Sequence, residues 1–280
     1  MSGMRRNLPR FSQGFSVTYE GGCLCGAVRF EADGPLRAVL PCHCTQCRKV
    51  SGHFWAATSV PHDRFRLTRD DGLLWYRSSP AARRGFCGRC GATLFWQPED
   101  EAHLSISPGA FDGDLRLACD PPIFTEDRGD YYSVEGPPPP PDPAPPGQLS
   151  GTCLCGACAF TLPGPAGPVT ACHCDQCRRL SGYFAASFDT SETALNWLRR
   201  EALAEFETPG GARRGFCRDC GSKLYFRAAD GAFSVEAGII DGKTGGRLAE
   251  HIYVAGKGTY YELTDGLPAY AGSGTLGTQA

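Results

Sequence analysis

Three cysteines fall in the stretch Pro-Cys-His-Cys-Thr-Gln-Cys at Cys42, Cys44 and Cys47, and the same spacing recurs at Cys172, Cys174 and Cys177. Three protein ligands with a fourth position open is the coordination pattern of a catalytic zinc. Three thiolates donate much charge, so such a zinc is a weak Lewis acid. It suits holding an incoming thiol as thiolate better than making hydroxide. His43 and His173 stand between ligands and compete as a closing fourth donor, which would make the sites purely structural. Alternation along an extended chain points them away from the metal. A redox reading of Cys44 and Cys47 as a C-x-x-C pair leaves the other cysteines of the copy without a purpose.

Two further spacings complete the set. Phe-Cys-Gly-Arg-Cys-Gly carries Cys87 and Cys90, and Phe-Cys-Arg-Asp-Cys-Gly carries Cys217 and Cys220. C-x-x-C turns two thiolates onto one ion and supplies half of a tetrahedral zinc site; the following glycine permits a tight turn. Cys-Leu-Cys, at Cys23 and Cys25 and at Cys153 and Cys155, is the natural donor of the other half. Residues two apart in an extended chain point the same way. The expectation is one closed four-sulfur site from Cys23, Cys25, Cys87 and Cys90, and another from Cys153, Cys155, Cys217 and Cys220. The remaining Cys119 and Cys158 lack counterparts and read as small packed residues.

Each of the seven ordered cysteines of the first set has a partner 130 residues later. Tyr131-Tyr132 and Tyr260-Tyr261 repeat at an offset of 129. That period is too long for a solenoid unit and indicates duplication of a whole domain. The expected division is 16–136, a linker at 137–147, and 148–272. The run GPPPPPDPAPPG favours polyproline II, cannot join a sheet, and at about 3.1 Å per residue reaches roughly 37 Å as a spacer; a proline-binding partner module is the competing reading. Within the copies, GHFWAATSV, ATLFW and AHLSISPGAF, matched by GYFAASF, SKLYF and AFSVEAGII, read as short strands between Gly and Pro. SETALNWLRREALAEF reads as a short helix capped by Ser191. The fold class is mainly β, held partly by metal.

The 280 residues are 41% hydrophobic, enough for a packed core, and carry a formal charge of −2. That charge gives no global basic footprint for nucleic acid. No apolar run approaches the ~18 residues of a membrane span. The opening MSGMRRNLPRFSQGF has no apolar core behind its basic residues and does not read as a secretory signal. Sixteen cysteines without an export signal point to a reducing, cytoplasmic setting and to metal ligands rather than disulfides. Basic residues crowd the motifs: Arg48, Lys49, Arg83, Arg84, Arg178, Arg179, Arg213 and Arg214. They either balance anionic metal sites or grip an anionic thiol.

GGCLCGAVRF, PCHCTQCRKVSGHF and RRGFCGRCGATLFW in the first copy resemble the family of glutathione-dependent formaldehyde-activating enzymes (Gfa) and centromere protein V. SGTCLCGACAF, ACHCDQCRRLSGYF, RRGFCRDCGSKLYF, HIYVAGKGTYYEL and DGLPAY do so in the second. The resemblance implies two tandem Mss4-like zinc-binding β domains with two Zn2+ each, four per chain. It implies structural zinc at the four-cysteine sets and catalytic zinc at Cys42, Cys44, Cys47 and at Cys172, Cys174, Cys177. It further implies reversible addition of glutathione to formaldehyde, a carbon–sulfur lyase reaction. Small-molecule thiol and aldehyde are then the partners, with glutathione or another small thiol as co-substrate. Pro122 stands where the second copy has His251, which makes the first copy the weaker candidate for activity. The competing reading is a non-catalytic zinc module for a protein or nucleic acid. The negative charge and the lack of a long basic arm argue against nucleic acid. The sequence assigns no membrane role and no oligomeric state.

Overall fold

Short apolar stretches punctuated by Gly and Pro become strands in the computed structural model, which describes residues 17–274. The opening segment read for a secretory signal, and residue 16, the expected start of the first domain, lie outside the described residues. The first copy runs β1 (Thr18–Gly22), β2 (Arg29–Asp33), β3 (Leu40–Cys42), α1 (Thr45–Ser51), β4 (Trp55–Pro61), β5 (Phe65–Arg69), β6 (Leu73–Ser79), β7 (Ala82–Cys87), β8 (Thr93–Pro98) and β9 (His103–Ile106). The second runs β10 (Gln148–Thr152), β11 (Cys158–Pro163), β12 (Pro168–Cys172), α2 (Asp175–Ser181), β13 (Ala185–Thr190), β14 (Asn196–Arg200), β15 (Leu203–Glu207), β16 (Arg213–Cys217), β17 (Lys223–Arg227), β18 (Phe233–Glu236) and β19 (Arg247–Ile252). The fold is thus mainly β and written twice. Each copy pairs a three-stranded sheet, β1-β2-β5 or β10-β11-β14, with a larger one, β3-β4-β9-β8-β7-β6 or β15-β16-β17-β18-β13-β12-β19.

The segment after Ser191 departs from the helical expectation. Ser191 Oγ does accept from Thr193 N–H, but it caps only a 3-10 turn at Glu192–Ala194. The chain then forms β14, whose Trp197 pairs with Phe160 of β11. Sheet pairing and burial of Leu195 outweigh the local helix propensity. Two real helices, α1 and α2, lie inside the three-cysteine motifs, and each ends on a left-handed glycine, Gly52 (φ 89) or Gly182 (φ 91). The proline run does not stand free. Arg247 donates to Pro138 O, and Lys243 pairs with Asp142 at 2.7 Å, so the run lies against the second copy.

The copies share one hydrophobic core, and their contacts repeat about a pseudo-twofold axis. Phe54 and Phe184, equivalent positions, meet at 5.4 Å between ring centroids. Gly109 N–H donates to Gly182 O at 2.9 Å, and Gly238 N–H to Gly52 O at 2.7 Å. Lys49 pairs with Asp241, and the equivalent Arg179 pairs with Asp112. Two of the basic positions next to the cysteines therefore bind the copies together. No helix among the described residues is long and apolar enough to cross a membrane.

Candidate metal centres

Each four-cysteine set converges from two distant parts of its copy. Cys23, Cys25, Cys87 and Cys90 bring their sulfurs within 4.8 Å of one another, and so do Cys153, Cys155, Cys217 and Cys220. Cys23 and Cys25 sulfurs are 3.5 Å apart, and Cys25 and Cys87 3.7 Å. The second copy gives 3.5 Å for Cys153–Cys155 and 3.6 Å for Cys155–Cys217. A tetrahedron with Zn–S bonds of about 2.3 Å has sulfur–sulfur edges of about 3.8 Å, so the donor set fits zinc. Cys-Leu-Cys converges through a turn after β1, closed by Gly26 at φ 74, rather than through strand alternation. Gly91 (φ 76) and Gly221 (φ 75) follow the C-x-x-C pairs in the same left-handed region. Their amides donate to the carbonyls of Cys87 and Cys217, each at 2.8 Å. A sulfur accepts elsewhere, from Val28 N–H to Cys23 Sγ at 3.2 Å.

The three-cysteine sets also converge within 4.8 Å. Cys42 ends β3, Cys44 is the N-cap of α1, and Cys47 lies in the first helical turn, so strand and helix deliver their thiols to one point. Cys172, Cys174 and Cys177 repeat this on β12 and α2, where Cys177 N–H donates to Cys174 Sγ. No fourth His, Cys, Asp or Glu joins either trio among the described residues. The helical cysteine is buried in each, while the other two residues are partly exposed.

The protonation of the trio shows what a cation would relieve there. The thiols of Cys42 and Cys47 hydrogen-bond to Cys44 and hold it down at about 2, whereas contact with Cys44 and Cys47 drives Cys42 far above an ordinary thiol. One sulfur takes the charge and the others keep their protons. Three thiolates this close need a positive centre between them. The four-cysteine sets behave alike, with Cys23 lowered to about 2 by Cys87 and Cys90.

The histidines between the ligands do other work. His173 Nδ1 accepts from Tyr261 OH at 2.6 Å. His173 Nε2–H donates to His251 Nδ1 at 3.0 Å, and His251 Nε2–H donates to Asp265 at 2.8 Å. This order follows from the carboxylate end, which only accepts. In the first copy His43 bonds Tyr132 OH at 2.7 Å, and Pro122 ends the chain of hydrogen bonds there. Burial first, then the Arg128 charge, pushes His43 down to about 4; burial pushes His173 to about 3. Both imidazoles are structural and neutral.

Of the eight basic residues flagged in the sequence, Arg84 and Arg214 address the thiols. Arg84 donates to Cys47 Sγ at 3.5 Å, with its guanidinium over the Trp55 ring at 5.8 Å. Trp55, Ala57 and Trp96 pack around this trio. Arg214 lies over Phe226 at 4.7 Å. Here the copies diverge, because Ala185 replaces Trp55 and Glu236 replaces Ser107. Trp55 Nε1–H donates to Ser107 Oγ at 2.8 Å, so that corner is filled and satisfied. In the second copy the corner is a cavity of about 20 Å³ lined by Cys177, Ala185, Arg214, Lys223 and Glu236. Glu236 Oε2 and Arg214 Nε have no hydrogen-bond partner among the described residues. Cys158 is buried, as expected of a packed residue, with its N–H donating to Cys153 Sγ at 3.1 Å. Cys119 is exposed, which corrects the packed reading.

Sequence reasoning missed the tyrosine partners and Asp265, although both lay in repeated or quoted stretches. It also missed Phe124 and Tyr253, the described non-glycine residues with positive φ, at 54° and 55°. That geometry costs about 1–2 kcal/mol for a residue with a side chain.

Comparison with known proteins gives the same duplication. The family model described as glutathione-dependent formaldehyde-activating enzyme matches residues 18–127 and again 148–256. A Schizosaccharomyces pombe protein named an uncharacterized lyase is 29% identical over 115 residues, covering 41% of this chain and 83% of its own. A Halomonas elongata protein provisionally named a glutathione-dependent formaldehyde-activating enzyme is 30% identical over 134 residues, covering 41% of this chain and 80% of its own.

Proposed function

This chain belongs to the glutathione-dependent formaldehyde-activating enzyme family, and on that footing we propose that it is a zinc-dependent carbon–sulfur lyase-type enzyme. Its substrate would be the adduct of a small thiol and a small aldehyde, of the S-hydroxymethylglutathione kind. The observation that carries this reading is a trio of converging cysteines, one buried and two partly exposed, with no fourth protein donor among the described residues. Cys42, Cys44 and Cys47, and Cys172, Cys174 and Cys177, would each hold one zinc; the four-cysteine sets would hold two structural ones, four per chain. A zinc in either trio supplies a positive centre that keeps a thiol's sulfur ionised near neutral pH.

In the forward direction the thiolate sulfur attacks the aldehyde carbon. The carbonyl π pair moves onto oxygen, and the oxygen takes a proton to give the hydroxymethyl thioether. The reverse breaks the carbon–sulfur bond. The chain's residues hold this geometry. Arg84 fixes the Cys47 sulfur, Trp55 and Trp96 exclude water on one side, and the Tyr261–His173–His251–Asp265 series braces the second trio. Fourteen of the sixteen cysteines fall in four sulfur clusters that could hold metal, and free thiols of that kind suit a reducing, cytoplasmic setting.

The test is formaldehyde–glutathione adduct exchange measured by NMR for wild type, Cys47→Ser and Cys177→Ser, against buffer and zinc-stripped protein. The second copy is braced where the first has Pro122, so Cys177→Ser should lose more activity than Cys47→Ser. Wild type no faster than the controls across several thiols and aldehydes would end the lyase reading.

A further inference from the structure

We propose that Phe124 and Tyr253 are aromatic platforms on which the body of the thiol rests beside the two three-cysteine centres. The proposal rests on the thiol–aldehyde reading above and assigns the residues that select which thiol is taken. Both have left-handed backbones, φ 54 and φ 55, and both rings are exposed, at 52% and 42%. Burial therefore offsets little of the strain. Such strain persists only where the surroundings over-determine it, and it clusters at ligand sites. Tyr253 N–H donates to Gly272 O at 2.8 Å, and Tyr253 O accepts from Gly256 N–H at 3.0 Å; Phe124 O accepts from Asp127 N–H at 3.2 Å. Glycine would occupy these turns without strain. Both copies nevertheless carry a large ring.

The preceding residue fixes where each ring leaves the chain. Ile123 O accepts from His43 N–H, and Ile252 O from His173 N–H, both at 3.0 Å. Ile252 also pairs with Cys172 in the β12–β19 ladder, and Cys42 forms the equivalent bridge with Ile123. Each ring thus starts one residue from the strand partner of the first cysteine of its trio. Solvent reaches the trio at that cysteine and the next, because the helical one is buried. An exposed Arg128 follows Phe124 by four residues, and Lys257 follows Tyr253 equally. A flat ring with a cation four residues on in the same loop suits a small thiol that carries peptide bonds and a carboxylate.

The probe is glutathione, with Kd measured by titration calorimetry on zinc-loaded full-length protein, together with KM for each substrate and the melting temperature. Tyr253→Gly should weaken glutathione about three- to tenfold at the second copy, the worth of one aromatic contact. It should leave the formaldehyde KM alone and keep or raise the melting temperature, because the strain is relieved. Tyr253→Phe should restore binding. Glutathione binding within twofold of wild type in Tyr253→Gly overturns the platform, as does equal loss in the Phe and Gly variants with a lowered melting temperature. Tyr253-dependent binding in a protein that exchanges no adduct leaves the platform standing and removes the lyase reading. Normal exchange with unchanged binding in Tyr253→Gly does the reverse.

Discussion

Replacing Glu236 by Gln should make the protein more stable than wild type above neutral pH, and the gain should vanish in acid. Glu236 is buried beside the cavity left by Ala185, so close to Gly52 that a Cβ there would lie 2.6 Å from Oε2. Burial raises its carboxyl from 4.5 to about 7, while Arg214 and Lys223 pull the other way without winning. The folded state therefore keeps this proton up to about pH 7, and the unfolded chain releases it near 4.5. The stability that the proton provides is whole below 4.5 and is lost as pH rises through 7. At about 1.4 kcal/mol per pH unit the loss is about 3 kcal/mol. Glutamine imitates the protonated form at every pH, so the variant escapes the loss. Melting temperatures of both zinc-loaded proteins from pH 5 to pH 8 check this. Zinc–thiolate titration is common to both and cancels in the difference. The difference should grow with pH by roughly 6–12 °C for a chain of this size. A flat difference, or one that falls with pH, would mean that Glu236 is ionised against Arg214 and Lys223 and that the burial argument is wrong.

Elemental analysis of protein purified without chelator should find about four zinc ions per chain, one for each sulfur cluster; a value near two would remove the basis of the open centres. Cys87→Ser should unfold or sharply destabilise the first copy, because a closed zinc site supplies folding energy, whereas Cys47→Ser should lower the melt less. Equal collapse of both would make all four sites structural. Lys223→Met should cost about 3 kcal/mol, since Val50 O, Gly91 O and Gly221 O lose their buried donor, and should lower one cooperative melt rather than split it; two separated transitions would show that the copies do not share a core.

The sulfur clusters were legible in the sequence because C-x-C and C-x-x-C are local geometry: four or fewer residues fix which sulfurs turn together. The apolar strands were legible for a similar reason, as β4, β8 and β13 each begin inside a stretch marked by its composition and run one or two residues beyond it. The helices α1 and α2 were not, because seven residues hold too little periodicity to register. Their Ser51-Gly52 and Ser181-Gly182 ends carry the C-cap signal. Ser191 misled because its capping chemistry is real but stops after one turn. What lay furthest from the sequence was the seam. Comparing copies shows that Thr93 became Lys223, Ser107 became Glu236 and Trp55 became Ala185, but not that these positions face the other copy.

That seam explains why two copies on one chain differ from two copies in a dimer. An isologous dimer brings each on-axis residue against itself. Positions 93 and 223 are equivalent and meet, with Lys223 Nζ donating to Thr93 Oγ1 at 2.9 Å. A homodimer of second copies would set lysine against lysine, and two like charges about 4 Å apart at an effective dielectric of about 20 repel by about 4 kcal/mol. A homodimer of first copies would set threonine against threonine and lose the ammonium that joins both C-x-x-C turns. Covalent fusion permits the unlike pair. It likewise permits one trio, beside Arg84, to be backed by Trp55 and Ser107 while the other, beside Arg214, is backed by a cavity and a buried carboxyl. The two centres are built from the same ligands in different electrostatic settings. Any activity at one is therefore separable from the other, and a substitution in one trio reports on that trio as long as the shared core stays intact.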